Sequence, residues 1–300
     1  MLRPSILLIA LVALLATTAC SSSPDMSGLD VEPQLSVMSF NVRYGTANDG
    51  EDRWEKREQH VLDVIADEAP TLLAVQEALD FQADTIAARF EHFVKVGQHR
   101  EGGRKNEFSG MFVDTRQLAV EASGDVWLSE TPDVIGSVGW DAALTRNATW
   151  ARLRDLETGR RFVAVSTHFD HMGRVARLES ARLLGEVLAE QCRLGAGDAA
   201  APLPGLLLGD LNAAEDSKPL AHLRSTGLAD TFRLLNPDAV DAAEVGTFTG
   251  FRAVPDGRKI DYVLATSEWT TRSARILRPR RDGRAASDHD PVVALLSLLR

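Results

Sequence analysis

Cysteine is scarce in this chain, which limits how the fold can be stabilised. The 300 residues contain two cysteines, Cys20 and Cys192. If the first is modified near the amino terminus, as argued below, the second has no partner within the chain. No internal disulfide is then expected even in an oxidising compartment, and stability must come from the hydrophobic core.

Positive charge is also in deficit. The sequence has 33 lysines and arginines against 43 aspartates and glutamates, and its formal net charge is -10 at pH 7. Binding nucleic acid by charge alone requires clustered basic side chains that release counterions, so this balance argues against such a surface. A locally basic cleft remains compatible with it. The loop 98–108 contains Arg100, Arg104 and Lys105 and is one candidate, although a solvated charged loop is the simpler interpretation.

Long apolar runs occur only near the amino terminus. Arg3 precedes the apolar stretch 6–15, which is too short to span a bilayer and is typical of a signal peptide. The following residues, LATTAC, end at Cys20 and resemble the lipobox of bacterial lipoproteins, in which the cysteine is lipidated. Thr17 stands where that pattern prefers leucine, so ordinary cleavage and secretion remain the alternative.

The domain organisation follows from this reading. We expect a signal peptide at residues 1–19, a flexible tether at 20–34 and one domain at 35–300. The protein would be exported and anchored to the bacterial envelope through Cys20, or secreted if Cys20 is not lipidated. By length the chain could hold two domains, but one large α/β or double-sheet domain fits equally well.

The most informative stretch is Gly205–Asn212, an apolar run with a polar end. Such a run indicates a strand buried on both faces. Residues two apart share a face of a strand, so Asp210 and Asn212 are expected to point together while Leu211 returns to the core. A carboxylate beside a carboxamide suits a phosphate or a hard metal ion. The alternative is an Asx-turn in which both residues cap the next helix.

Two more predicted strands end in polar side chains. Residues 35–41 alternate apolar and polar and end at Asn41, and the apolar run 71–77 ends at Glu77. The repetition of this design supports a site, although a turn at Asn41 and an ordinary exposed Glu77 are the alternatives.

A histidine cluster follows a predicted hairpin. In Ser166–His171, His168 and Asp170 share a face in extended geometry and His171 lies close enough to join them, as a metal or phosphate site. Arg146 lies in the segment that leads into the first strand of this hairpin. Arg174 stands at the start of the next predicted helix, where an anion is favoured.

The carboxyl-terminal part supplies the last candidates. Asp261 lies in the predicted strand 259–264, and a buried acid needs a partner. That partner is His289, which stands between Asp288 and Asp290 before the last strand, 292–298. The segment 247–251 has two aromatic residues around a glycine and is expected to pack on a sheet edge rather than to face substrate.

Periodicity predicts the remaining elements. We expect helices at 54–68, 81–90, 174 to about 193 and 218–224, and further strands at 93–96, 109–113, 118–127, the hairpin strand ending at 155, and 162–167.

Six short motifs, in order, resemble the endonuclease/exonuclease/phosphatase superfamily of metal-dependent phosphoesterases. They are Ser39–Asn41, Gln76–Glu77, Ser166–His168, Gly209–Asn212, Ile260–Tyr262 and Ser287–His289. The resemblance spans about residues 35 to 298. It implies an α/β (α+β) fold of two packed, mainly antiparallel β-sheets flanked by helices, a four-layer sandwich.

The resemblance also implies roles for individual residues. Glu77 would be the principal ligand of Mg²⁺, with Mn²⁺ as a substitute, and Asn41 and Asp288 would lie near the ion. His289, oriented by Asp261, would be the general base for water or an imidazolium that stabilises the phosphate.

Other members of the set have less defined roles. Asp210 is the rival base, and His168 and Asn212 would donate hydrogen bonds to the non-bridging oxygens. Asp170 and His171 match a variant motif and are expected to support the site. Thr249 stands where similar members have histidine, and no leaving-group tyrosine stands out.

Three functions compete at this stage. The first is an exported Mg²⁺-dependent phosphoesterase that acts on a small-molecule or lipid phosphate, as a monomer. The second is a secreted or membrane-anchored nuclease acting through a locally basic cleft. The third is a noncatalytic binding lipoprotein, which retention of every acid, amide and imidazole of the pattern disfavours.

Overall fold

Fourteen strands and six helices build the part of the chain that the computed structural model describes, residues 34–197, 201–255 and 257–298. The strands are β1 (Gln34–Asn41), β2 (Leu72–Gln76), β3 (Phe93–Val96), β4 (Met111–Asp114), β5 (Leu118–Trp127), β6 (Asn147–Asp155), β7 (Arg161–His168), β8 (Gly205–Asp210), β9 (Ala229–Asp230), β10 (Asp261–Ala265), β11 (Trp269–Ile276), β12 (Arg280–Arg281), β13 (Arg284–Ala285) and β14 (Val292–Leu298). The helices are α1 (Trp54–Glu68), α2 (Asp80–Arg89), α3 (Arg174–Ala196), α4 (Lys218–Ser225), α5 (Thr231–Leu235) and α6 (Ala242–Val245).

Two six-stranded sheets contain most of these strands. Their orders are β11-β14-β1-β2-β4-β3 and β5-β6-β7-β8-β10-β9, and β12 and β13 pair separately. The pairs β1/β2 and β7/β8 are parallel, whereas the other pairs in the two sheets are antiparallel. The expected pair of mainly antiparallel sheets is thus confirmed.

The hydrophobic core has three layers of contact. Side chains from both sheets pack against each other in the centre, α1 and α2 cover the outer face of the first sheet, and α3 and α4 cover that of the second. In β8, Leu206 and Leu208 face the other sheet while Leu207 faces the helices. This explains the continuous apolar run in the sequence, because a strand covered on both faces has no solvent side.

Most predicted elements occur within a few residues of their expected bounds. The helix expected at 54–68 is α1, which ends at Glu68 and is followed by Ala69 in a left-handed conformation directly before Pro70. The strand expected at 109–113 begins at Met111, and α3 continues to Ala196.

Other expectations differ from the structure. Asp261 begins β10 rather than lying inside a strand, and β11, α5 and α6 were not anticipated. The predicted signal peptide and Cys20 lie outside the described residues, as does the predicted tether apart from Gln34. Within the described ranges, none of the helices combines the length and apolar character needed to cross a membrane.

Candidate active site

The polar ends of several strands meet at one edge of the two sheets. Strand register places Asn41 beside Gln76, and both His168 and Asp261 beside Asp210. Strands of opposite direction contribute opposite ends, so β8 brings its last residue and β10 its first to the same edge. A cavity of about 520 Å³ opens there, and eight of the predicted site residues line it: Glu77, Arg146, His168, His171, Asp210, Asn212, Asp288 and His289.

Asp261, His289 and Asp210 form a buried charged group. Nδ1 of His289 lies 2.8 Å from Oδ2 of Asp261. A carboxylate can only accept, so Nδ1 donates and Nε2 faces Oδ2 of Asp210, 3.7 Å away. Burial lowers the pKa of His289, but the two aspartates outweigh it and raise that pKa well above its usual value. Burial and the charge of Asp261 raise the pKa of Asp210 to about 7.

Glu77 and Asp288 form the carboxylate pair expected to hold a metal ion. Burial is the main cause of the raised pKa of Asp288, to which the charge of Glu77 adds. Two carboxylates that repel each other at the wall of a cavity supply the oxygen ligands of Mg²⁺, which keeps several waters and needs only one or two acidic side chains. Glu77 and Asp288 therefore fit a divalent ion.

Asn41 connects this pair to the buried charged group. Its Nδ2 donates to Oε1 of Glu77 at 3.0 Å and to Oδ2 of Asp210 at 3.1 Å, while its Oδ1 accepts from the backbone N–H of Arg43. Asn41 is fully buried beneath the cavity. As arranged here, it orients two carboxylates and presents its amide nitrogen, not its oxygen, to the site.

Asp210 and Asn212 both reach the cavity, and Leu211 is buried in the core, as the sequence predicted. The backbone N–H of Asn212 also donates to Oδ1 of Asp210 at 2.8 Å, which is the local turn considered as the alternative. The turn does not cap a helix, because α4 starts only at Lys218. Gly209 is needed here, since a Cβ would lie 2.1 Å from the carbonyl oxygen of Thr167.

His168 is a neutral imidazole in this setting. Burial, followed by the charges of Arg146 and His289, lowers its pKa well below the usual value. Its Nε2 lies 3.0 Å from Nδ2 of Asn212 and 3.4 Å from Oδ2 of Asp210. An amide nitrogen can only donate, so Nε2 accepts from Asn212 in this arrangement, and the neutral ring could donate to a phosphate oxygen only after that bond is released.

Asp170 builds the loop behind the site rather than lining the cavity. Its Oδ1 accepts the N–H groups of Met172 and Gly173, and its Oδ2 accepts that of Leu144. Asp170 thus does not join His168 at the cavity wall, and its position agrees with the supporting role that the resemblance implies. Arg174 also lies outside this cavity, in a neighbouring groove.

Arg146 and His171 do line the cavity. Arg146 is only 5% exposed, and its Nη2 lies 3.3 Å from Nδ1 of His171. Its Nε is 3.8 Å from Oδ2 of Asp170 and has no hydrogen-bond partner among the described residues. A buried guanidinium with unused hydrogen-bonding capacity is a binding group for an anion or a hydroxyl.

Several lining residues were missed by sequence reasoning. Arg43 and Tyr44 come two and three residues after Asn41, and residues 41 and 43 of an extended chain share a face, which was an available signal. Glu107 comes from the loop 98–108, where Arg100 is buried and bonded to Glu107 at 2.9 Å instead of being solvated.

The segment 247–251 also differs from expectation. Phe248 lines the cavity and packs edge-on against the His289 ring, with 5.1 Å between centroids. Thr249 is buried and donates its Oγ1 to the carbonyl oxygen of Asp288 at 3.0 Å. This segment therefore holds the residues before β14 in place and forms part of the cavity wall.

Three residues at this edge have strained backbones. Arg43, Glu77 and Asn212 have φ angles of 56°, 62° and 44°, in the left-handed region that side chains other than glycine rarely adopt. Such conformations persist where the surroundings determine them strongly, as at functional sites.

The cavity combines a pair of carboxylates that fit a metal ion with a buried histidine–aspartate pair, at the edge where the two sheets meet. This combination defines a hydrolase of phosphate esters. The family model described as Endonuclease/Exonuclease/phosphatase family matches residues 38–289. The chain belongs to this family of phosphoester hydrolases, which generally depend on a divalent metal ion. The resemblance seen in the sequence is thereby confirmed.

Solved structures show the same fold. A family member from Bacteroides vulgatus superposes with a TM-score of 0.79 at 29% identity, covering 89% of this chain and 100% of its own. A mannosyl-6-phosphatase from Bacteroides thetaiotaomicron gives 0.78 at 29% identity, over 88% of this chain and 100% of its own. The human Nocturnin catalytic domain, at 20% identity, gives 0.68 over 93% of this chain and 100% of its own. A search of curated proteins gives no match.

Proposed function

We propose that this protein is an exported, Mg²⁺-dependent phosphoesterase that hydrolyses a phosphate ester of a small molecule or lipid head group by in-line attack of water. The observation that carries this is one cavity of about 520 Å³ that gathers the Glu77–Asp288 pair, Asp210 and His289. Its volume suits a small ligand. The acids bind a hard ion, and the imidazole faces the space that a phosphoryl group would take.

Glu77 and Asp288 would hold the ion, which supplies positive charge to the phosphate oxygens when bound. The residues of the chain would supply the proton transfer and the hydrogen bonds to the phosphate. His289, kept protonated by Asp261, donates from Nε2 to a phosphate oxygen. Asp210, with its pKa near 7, accepts a proton from the attacking water. His168 and Asn212 add neutral hydrogen bonds.

The leaving group would lie against Arg146 and His171, which line the same cavity. Glu107 is beside them, and its carboxyl group, which is paired with Arg100, can accept hydrogen bonds. A guanidinium, an imidazole and a carboxyl group together recognise hydroxyl-rich or anionic groups. The mannosyl-6-phosphatase among the structural relatives supports a sugar phosphate within this class.

A nuclease is the alternative, and one observation favours it. A groove of about 740 Å³ adjoins the cavity at Asn212 and is lined by Arg174, Arg177 and Lys218. A polymer could follow these cations away from the cleaved bond.

A phosphate-release screen tests the proposal. Sugar, inositol, nucleotide and lipid phosphates are each incubated with protein and Mg²⁺, with excess chelator and with Glu77→Gln as controls, and plasmid nicking is assayed in parallel. Release from a small or lipid phosphate that chelator abolishes supports the proposal. Nicking without such release favours the nuclease, and activity that persists in chelator overturns the metal assignment.

Export and anchoring are tested separately. We propose that Cys20 carries lipid and holds the protein at the envelope. Mass spectrometry of the mature amino terminus should find an acylated Cys20. Unmodified Cys20, or a soluble protein that begins after it, would refute the anchor, and retention of residues 1–19 would refute export.

A further inference from the structure

Thr247 is bonded to both segments that carry the histidine–aspartate pair. Its side chain is fully buried, and its Oγ1 accepts the backbone N–H groups of Ile260 at 3.0 Å and of Asp261 at 3.1 Å. Its carbonyl oxygen accepts the N–H of Asp290, the residue after His289, at 2.7 Å. One residue therefore connects Asp261 to the neighbour of His289.

This connection matters because the histidine–aspartate pair spans the two sheets. Asp261 is the first residue of β10 and pairs with Asp210 in the second sheet, whereas His289 precedes β14, which belongs to the first sheet. Hydrogen bonds within a sheet fix each strand among its neighbours, but they do not set its distance from the other sheet. Thr247 supplies a link between the two segments at the edge where the cavity opens.

The bond between Asp261 and His289 is sensitive to the position of the Asp261 backbone. Oδ2 of Asp261 lies 2.8 Å from Nδ1 of His289, and Oδ1 has no hydrogen-bond partner among the described residues. A hydrogen bond weakens steeply as it lengthens or bends. A small shift at the start of β10 would therefore weaken the bond that orients the imidazole.

We propose that Thr247 is a positioning residue that aligns Asp261 with His289 by tying the start of β10 to the segment before β14. Without its hydroxyl, two buried N–H groups lose their acceptor, which favours a shift of the start of β10 toward another one. The Asp261 carboxylate then moves away from the imidazole. The inference rests on the proposed function only in taking this pair as part of the catalytic site.

Three variants of the full mature protein test this role. Thr247→Val keeps the shape of the side chain but removes the acceptor, and Thr247→Ser keeps the hydroxyl. Thr231→Val is the matched control, because Thr231 is also fully buried and its Oγ1 donates to the carbonyl oxygen of Val263 at 2.9 Å. This control removes a threonine hydroxyl bonded to the same strand, β10, at a residue other than Asp261.

Proton NMR of the Nδ1–H of His289 measures the alignment without turnover, and His289→Ala identifies the resonance by its loss. In the unaltered protein the buried bond to Asp261 should place this resonance far downfield and protect it from exchange with water. In Thr247→Val the resonance should move upfield and exchange faster. Thr247→Ser and Thr231→Val should keep it.

Turnover should follow the same order. Thr247→Val should lower kcat by about tenfold to 10²-fold, since a misplacement of about 1 Å can cost about 10² in rate. Thr247→Ser and Thr231→Val should stay within about threefold of the unaltered protein. Because Thr247 acts through Asp261, adding Thr247→Val to Asp261→Asn should lower kcat by less than about threefold more.

The inference is wrong if Thr247→Val leaves the resonance unchanged, if Thr231→Val alters it as much, or if the losses of kcat from Thr247→Val and Asp261→Asn multiply. Should Thr247→Val not fold, Thr247→Ala is measured in its place with the same outcomes, because it removes the same acceptor and leaves space beside the two N–H groups. The proposed function fails separately, if the resonance responds as expected but no phosphate ester in the screen is hydrolysed.

Discussion

Asp261 and His289 should act in catalysis as one unit. Their 2.8 Å hydrogen bond is buried, with 1% and 5% of the two side chains exposed, so water cannot replace either partner. His289→Ala should lower kcat by about 10² to 10⁴, the usual loss for a positioned acid–base group. Asp261→Asn keeps the shape but removes the charge that holds the imidazolium, so it should cause a loss of similar size.

The double variant is the decisive measurement. If His289 functions only when Asp261 holds it, Asp261→Asn added to His289→Ala should reduce kcat by less than about threefold more. The assay is kcat/KM on a phosphate ester at saturating Mg²⁺, with melting temperatures recorded for each variant. Losses that multiply would refute the pairing and show that the two residues act independently.

Asp290→Asn is a matched control for this cycle. Asp290 is the next residue, is also a buried acid, and is bonded to Arg278 and Arg280 at 2.8 and 2.7 Å. Removing its charge should lower the melting temperature because two guanidinium groups lose their partner, yet kcat should change by less than about threefold. A large loss of kcat in this control would mean that any disturbance before β14 is damaging.

Two further predictions concern the metal and pH. Glu77→Gln should weaken Mn²⁺ binding by at least about tenfold in calorimetry while the metal-free melting temperature changes little; an equal loss of metal-free stability would make Glu77 structural. Burial lowers the pKa of His168 in the folded state. Below the unfolded pKa of about 6.5 the unfolded state therefore binds more protons, and the free energy of unfolding decreases as the pH is lowered, by up to about 1.4 kcal/mol per pH unit. His168→Asn should flatten that decline in denaturant titrations between about pH 6.5 and 5, and an unchanged slope would contradict the assignment of a neutral ring.

Most carboxylates and imidazoles of the candidate site could be identified from sequence because they stand at or near the end of an apolar run. Asp210 is the last residue of β8, Glu77 directly follows β2, and Asp288 lies four residues before β14. The pattern determines where a strand stops, and the polar residue at that point is held by a rigid element. Local pattern therefore predicted the strands and most of these residues, whereas the two packed sheets and the role of each residue came from the resemblance to the family.

The remaining features depend on contacts between distant segments. Asp170 stands two residues after His168, a spacing that places both on one face of an extended strand. Its carboxylate instead accepts the backbone N–H groups of Leu144 and Gly173, and the sequence pattern around Asp170 does not predict these contacts. Arg100 reads as a solvated cation in a glycine-rich loop, and only its pairing with Glu107 accounts for its burial. Side-chain direction after a strand end depends on hydrogen-bond partners that the chain brings together only on folding.

Asn41 offers a test of whether the two halves of the site work separately. Its Nδ2 is the donor shared by Glu77 and Asp210, so Asn41→Ala leaves the buried carboxylate of Asp210 and the half-buried one of Glu77 without that donor. We expect Mn²⁺ affinity to fall and the pKa seen in the acid limb of kcat/KM to rise, because this bond lowers the pKa of Asp210. Ser39→Ala is the control, since Ser39 shares the strand and its buried Oγ has no hydrogen-bond partner in the described structure. If Asn41→Ala changes only the Mn²⁺ affinity or only the pKa of the acid limb, Asn41 supports only Glu77 or only Asp210.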